Sequence, residues 1–296
     1  MINLKKFYQQ LIDLNVKFFT GVPDTLLNEF CLFIDQNSPK ENHVIAANEG
    51  SAVALAVGHF LGSKELSLVY MQNSGLGNAL NPLLSLAGSN LYSIPMLMLI
   101  GWRGDPLFPD HPQHNKQGII TPRLLEELDI PFKVLEDNQD EVSQSLSWAT
   151  HEALEKNSPV ALIVKKGVMQ ESEKENLLEL PSDLSLTREE SIRTIISTFP
   201  KNTLYIATTG RACRELYNLR EEQNQTHQFD FLNVGAMGHA LSIASGLALS
   251  QPEKQVVCLD GDSAAIMHLG SLAVINKKQI PNLLHIVLNN GCHESV

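Results

Sequence analysis

Short, almost wholly apolar runs alternate along the chain with longer stretches whose apolar residues recur at helical spacing. The runs at 17–20, 43–46, 68–71, 96–100, 132–135 and 160–164 are mostly too apolar for in–out alternation. That is the pattern of strands covered on both faces of a parallel sheet. Between them, residues 26–35, 51–61 and 141–154 read as helices. The rhythm stops over 170–187, QESEKENLLELPSDLSLT, an acidic, polar stretch with one proline that reads as a linker. It then restarts with strands at 204–207, 256–259 and 284–288. Helices are predicted at about 212–222, 239–249 and 264–276, and a glycine-rich turn at 235–238. The expectation is an α/β chain of two doubly wound parallel-sheet domains, 1–169 and 188–296, with the second incomplete and the chain a C-terminally truncated piece.

Composition narrows the chemistry. Hydrophobic residues make up 43%, charged residues 19%, and the formal net charge is −11. An acidic chain with no Lys/Arg-rich block is not a nucleic-acid-coating protein, so any anionic ligand must be held by a local device. Cys31, Cys213, Cys258 and Cys292 are widely spaced with no CxxC pair, which argues against a disulfide framework or a zinc site. Neither a signal peptide's apolar core nor a membrane-length apolar run is present. A cytoplasmic protein that engages neither membrane nor nucleic acid is expected.

The local device is sought at strand ends. Asp262 follows the strand VVCLDG, and Asn290 ends LLHIVLNN. Consecutive parallel strands deliver their C-terminal ends to one rim, so a carboxylate and a carboxamide oxygen meet there. Such hard donors suit Mg2+ or Ca2+ with phosphate oxygens completing the shell. Gly261, Ser263 and the start of the following helix offer backbone N–H groups to the same phosphates. Read singly, each segment is a common turn. Strand–GDS–helix followed by strand–NN, however, resembles the GDG…NN motif of the thiamine-diphosphate-dependent decarboxylase and synthase family, with Ser263 in place of the usual glycine.

The resemblance implies thiamine diphosphate and Mg2+ as cofactors, with Asp262, Asn290 and the backbone carbonyl of Cys292 on the metal. It implies that Glu49, at the head of the helix after HVIAAN, promotes the tautomer of the cofactor's aminopyrimidine that ionises the thiazolium. It also implies that Met237 in GAMG props the cofactor and that the Gly235 backbone meets the pyrimidine amine. A dinucleotide fingerprint is not met, because Gly75-Leu76-Gly77-Asn78-Ala79-Leu80 lacks the third glycine.

The linker joins the two cofactor domains with no middle domain between them. Together with FFTGVPDTLLNEF, YMQNSGLGNALNPLLSL, GWRGDPLFPDHPQHNKQGIITPRLL and ATTGRACRELYNLR, this resembles the branch of the family acting on 2-oxo acids that carry a second anionic group. The implied reaction is decarboxylation of 3-phosphonopyruvate to phosphonoacetaldehyde and CO2. The alternatives are sulfopyruvate as substrate, a non-catalytic cofactor-binding fragment, or a synthase using the same cofactor. A small anionic 2-oxo acid asks for cationic and N–H donors, which makes Arg103, His111, His114, Lys116 and Arg211 candidates. His114 is also a candidate proton carrier, and Asp24, Gln113 and Asn73 are further contact candidates. The resemblance further implies a homodimer or larger assembly with active sites at subunit interfaces.

Overall fold

A computed structural model describes residues 1–88, 91–170 and 186–291. These fall into two compact units, one holding 1–170 and the other 186–291. The predicted linker lies mostly outside the described residues, as does Cys292.

The first unit runs α1 (Leu4–Asp13), β1 (Phe18–Gly21), α2 (Asn28–Asn37), β2 (His43–Ile45), α3 (Glu49–Ser63), β3 (Ser67–Gln72) and α4 (Leu76–Pro82). It continues with β4 (Met96–Gly101), α5 (Pro112–Glu127), β5 (Phe132–Leu135), α6 (Gln139–Lys156) and β6 (Pro159–Val164). All six strands are parallel, in the order β2-β1-β3-β4-β6-β5. Four of the six apolar runs have their predicted meaning: β1, β4 and β6 are buried at every residue and β3 at all but its last, whereas the edge strands β2 and β5 are only partly buried. Alternate residues of one strand serve opposite cores. Leu68 and Tyr70 pack with Phe7, Phe30 and Leu146 of α1, α2 and α6, whereas Val69 and Met71 pack with Val53, Ala79 and Leu125 of α3, α4 and α5. The chain turns one way from β1 to β2 and the other way from β3 outward. The switch point between β1 and β3 is therefore where a ligand crevice opens.

The second unit repeats the plan with α7 (Arg188–Thr198), β7 (Leu204–Ala207), α8 (Arg211–Glu222), β8 (Asp230–Leu232) and α9 (Ala240–Ser250). Then come β9 (Val256–Gly261), α10 (Asp262–Met267), α11 (Gly270–Lys278) and β10 (Leu283–Leu288). Its parallel strands are ordered β10-β9-β7-β8. Tyr205, Leu216 and Leu259 fill one face with α7 and α8, and Ile206, Ala244 and Cys258 fill the other with α9.

Two expectations are corrected. The single helix over 264–276 is instead α10 and α11, because His268 leaves helical geometry (φ −131°, ψ 44°) and packs edge-on against His239, ring centroids 4.4 Å apart. The strand β8 falls outside the predicted set, since its three residues carry no apolar run and none is fully buried. Among the described residues no helix is long and apolar enough to cross a membrane.

Candidate active site

In the first unit, Asn48 caps α3 by accepting the Ser51 N–H at 2.9 Å, which fixes Glu49 in the first turn. The Glu49 carboxyl is 6% exposed and reaches across to the turn after β3. There Gly75 makes room for it: a Cβ on Gly75 would lie 2.5 Å from Glu49 Oε1. Asn78 Nδ2 donates to Glu49 Oε2 at 2.7 Å. Burial pushes this carboxyl above the ordinary glutamate range, and the Asn78 hydrogen bond opposes the shift. A buried carboxyl with raised proton affinity is a candidate proton carrier.

Asn73, expected to touch ligand, is a clasp within the protein. Its Nδ2 donates to Arg103 O and to Thr121 Oγ1, both at 2.9 Å, and its Oδ1 accepts the Arg103 N–H at 3.1 Å. It thereby ties the ends of β3 and β4 to α5. Arg103, expected as a cation for substrate, already has a carboxylate partner. Its Nε and Nη2 donate to Asp110 at 2.8 and 2.6 Å, and Nη1 donates to Thr25 Oγ1 at 3.2 Å. This forked pair holds the Asp110 carboxyl well below the usual carboxylate range and raises the guanidinium. Arg103 and Asp110 line a cleft of about 350 Å3 with Thr25, Trp102, Phe108 and Lys166.

The helix α5 starts with Pro112 at its first position, and Trp102 Nε1 anchors it by donating to Gly118 O at 2.9 Å. His114 on its first turn is half-buried; burial, aided by the Arg103 charge, lowers the affinity of the ring for a proton. His111, Gln113 and Lys116 are exposed.

Asp24 is 4% exposed and does not line the cleft. Its Oδ2 accepts the Leu26 N–H at 3.2 Å, and burial pushes its carboxyl up to about 6 from 3.8, against the nearby Arg103 charge. A folded-state value above the unfolded one means stability that is full below 3.8 and lost as pH rises through about 6. Asp24→Asn removes that loss. The variant is expected to be more stable than the parent by about 3 kcal/mol at about pH 8, and no more stable near about pH 4, in urea unfolding. Equal gains at both pH values would refute the burial cost.

In the second unit, the adjacency of β9 and β10 brings the two predicted oxygen donors together. Asp262 Oδ2 accepts the backbone N–H groups of Asn290 and Gly291 at 3.3 and 3.0 Å. Its Oδ1 accepts Ser263 N–H at 2.6 Å and Ser263 Oγ–H at 3.2 Å. Ser263 therefore points its donors at Asp262 instead of outward, the local turn that an aspartate at a helix start commonly makes. The turn carrying Met237 is held in an uncommon backbone state, with Ala236 at φ +51° and Gly238 at φ +87°. Gly235 N–H donates to Asn233 Oδ1 at 3.3 Å.

Of the buried side-chain polar atoms without a hydrogen-bond partner among the described residues, Thr208 Oγ1 and Asn233 Nδ2 lie at the C-terminal ends of β7 and β8. Their backbone carbonyls are tied together by the Cys213 thiol at 2.8 and 3.1 Å. Buried orphan donors beside a rim that carries Asp262 fit an anionic group held with a divalent cation. Cys258, Asp260 and His285 also converge on one sheet face, but both Asp260 oxygens are engaged, by Gly261 N–H at 3.1 Å and the His285 ring at 3.2 Å.

The sequence pattern did not single out Gly75, Asn78, Thr208 or Asn233. Gly75 and Asn78 lie inside the failed dinucleotide fingerprint, and their real signal is a pairing with Glu49 across 29 residues for Asn78.

Comparison with known proteins assigns stretches of both units to one family. Residues 5–120 match the N-terminal TPP binding domain of thiamine pyrophosphate enzymes, and residues 208–296 match the C-terminal TPP binding domain. The chain belongs to the thiamine pyrophosphate enzymes. Within them, a phosphonopyruvate decarboxylase of Streptomyces viridochromogenes is 32% identical over 311 residues, 100% of this chain and 75% of that protein. The alpha subunit of the sulfopyruvate decarboxylase of Methanococcus maripaludis is 30% identical over 157 residues, 53% of this chain and 90% of that subunit. The beta subunit of the Methanothermobacter thermautotrophicus enzyme is 38% identical over 110 residues, 37% of this chain and 56% of that subunit.

Proposed function

We propose that this chain catalyses the thiamine-pyrophosphate- and Mg2+-dependent decarboxylation of 3-phosphonopyruvate to phosphonoacetaldehyde and CO2. The carrying observation is that a phosphonopyruvate decarboxylase matches 100% of this chain, whereas the subunits of sulfopyruvate decarboxylases match it piecewise, over 53% and 37%. In this reading residues 1–169 serve the pyrimidine, 188–296 serve the diphosphate and metal, and 170–187 link them.

When bound, the cofactor contributes an electron sink for the electron pair left as CO2 departs. The chain's own residues do the rest. Glu49 carries and releases a proton at its buried carboxyl. Asp262 and Asn290, with the Cys292 carbonyl, supply oxygen donors to Mg2+. Thr208 Oγ1 and Asn233 Nδ2 would offer donors to the diphosphate beside Gly261 and Ser263, while Gly235 and Met237 would shape the seat of the pyrimidine. His114 handles the proton exchanged at the reacting carbon. His111, Gln113, Lys116 and Arg103 meet the substrate's two anionic groups, with Arg103 oriented by Asp110. Asn73 and Asp24 position the rim.

We also propose a cytoplasmic homodimer or larger assembly; the exposed Leu55 and Leu61 on α3 support an association surface.

The test is CO2 release by the purified chain with thiamine pyrophosphate and Mg2+, offered phosphonopyruvate or sulfopyruvate. Higher kcat/KM on phosphonopyruvate is expected. Preference for sulfopyruvate would assign the alternative substrate, and turnover of neither would overturn the reading.

A further inference from the structure

We infer that Asn78 is a positioning residue that sets the proton affinity of Glu49 and holds its carboxyl in one orientation. The inference rests on the proposed role of Glu49 and deepens it. Four observations converge. The Asn78 side chain donates to Glu49 Oε2 at 2.7 Å, a short distance for an amide donor. Gly75 closes on the other oxygen, since a Cβ there would lie 2.5 Å from Oε1. The helix α4 is brought within reach because Gly50 lets the two helices touch: a Cβ on Gly50 would lie 2.9 Å from Asn78 O. Finally, Asn78 is half-buried on a short helix, so its bond to Glu49 is partly shielded from water.

Physically, Glu49 is pulled two ways. Burial favours the neutral acid, and an N–H donor favours the carboxylate. An amide has no charge of its own, so it moderates the burial effect without cancelling it. A lysine or arginine in its place would hold Glu49 ionised and remove the acid; an apolar residue would leave burial unopposed. Asparagine keeps both protonation states within reach, which a group that gives and retakes a proton in each cycle requires.

The experiment is a pH titration of the Glu49 carboxyl by carbon NMR in the chain labelled at glutamate Cδ, without cofactor or substrate. Glu49→Gln identifies the signal. Asn78→Leu and Asn78→Ala remove the donor, the first with similar volume, and thermal melts confirm that each is folded. The Glu49 midpoint is expected to rise by about one pH unit or more in both variants, the size of a lost hydrogen bond to a charged group. The acidic limb of the kcat/KM profile should move the same way. An unchanged midpoint in folded variants would overturn the inference, because a purely structural contact would alter the melting temperature and not the titration. The titration needs no turnover. Failure of the wild-type chain to decarboxylate phosphonopyruvate would therefore fall on the proposed function alone, and an unshifted midpoint with turnover intact would fall on Asn78 alone.

Discussion

Glu49→Gln is expected to lower kcat/KM for decarboxylation by about 10²- to 10⁴-fold, the range of a lost general acid–base group, while the chain still binds thiamine pyrophosphate. The substitution is nearly isosteric, and the Asn78 donor retains an oxygen to bond. Stability should move the opposite way from activity. The folded state raises the proton affinity of this carboxyl above its ordinary value. Its stabilising contribution is therefore full below the unfolded pKa and is lost as pH rises through the folded one. Glutamine has no such loss, so the variant should melt higher than the parent at neutral pH. Activity lost with stability gained marks a group retained for chemistry. Thermal melts and steady-state CO2 release together check the prediction; unimpaired turnover would remove Glu49 from the mechanism.

Asp262→Ala is the second large effect expected. It deletes a carboxylate at the β9–β10 rim that gathers N–H donors from Ser263, Asn290 and Gly291. Two losses are combined: the proposed oxygen donor to Mg2+ and the brace that holds the loop after β10. Removing groups that merely support a metal ligand typically costs 10- to 100-fold in affinity, so deleting a ligand should cost at least about 100-fold. The Mg2+ concentration that half-saturates cofactor binding should rise accordingly, read by calorimetric titration at fixed thiamine pyrophosphate. Asn290→Ala should cost less, because its backbone N–H to Asp262 survives. A wild-type Mg2+ dependence in Asp262→Ala would place the metal elsewhere.

Much of the architecture was legible because buried parallel strands have a simple signature. Runs such as 96–100 and 160–164 are apolar on both faces and are central strands. The strand β8 carries no such run, and its pairing with β7 comes from context. The break at His268 depends on His239, a ring some thirty positions earlier, and no local window contains both. The same limit governs the site. Asp262 and Asn290 were readable because each ends a strand, and neighbouring parallel strands share a rim. Arg103 looked like a free cation because its partner is chosen by folding: Asp105 and Asp110 are both near in sequence, and only Asp110 forks onto the guanidinium. Asn73 looked like a ligand contact at a strand end, and the same position suits a clasp between two strands and a helix.

Each unit has its own hydrophobic clusters on the two faces of its own sheet, with Leu68 and Val69 in one and Leu259 and Cys258 in the other. Such a design is indifferent to whether one gene or two encodes it. Cutting the message between the sheets would divide none of these clusters, and each product could collapse around its own as it leaves the ribosome. Gene fission and fusion are then cheap evolutionary steps for this architecture, and what selection must preserve is the means by which the halves find each other.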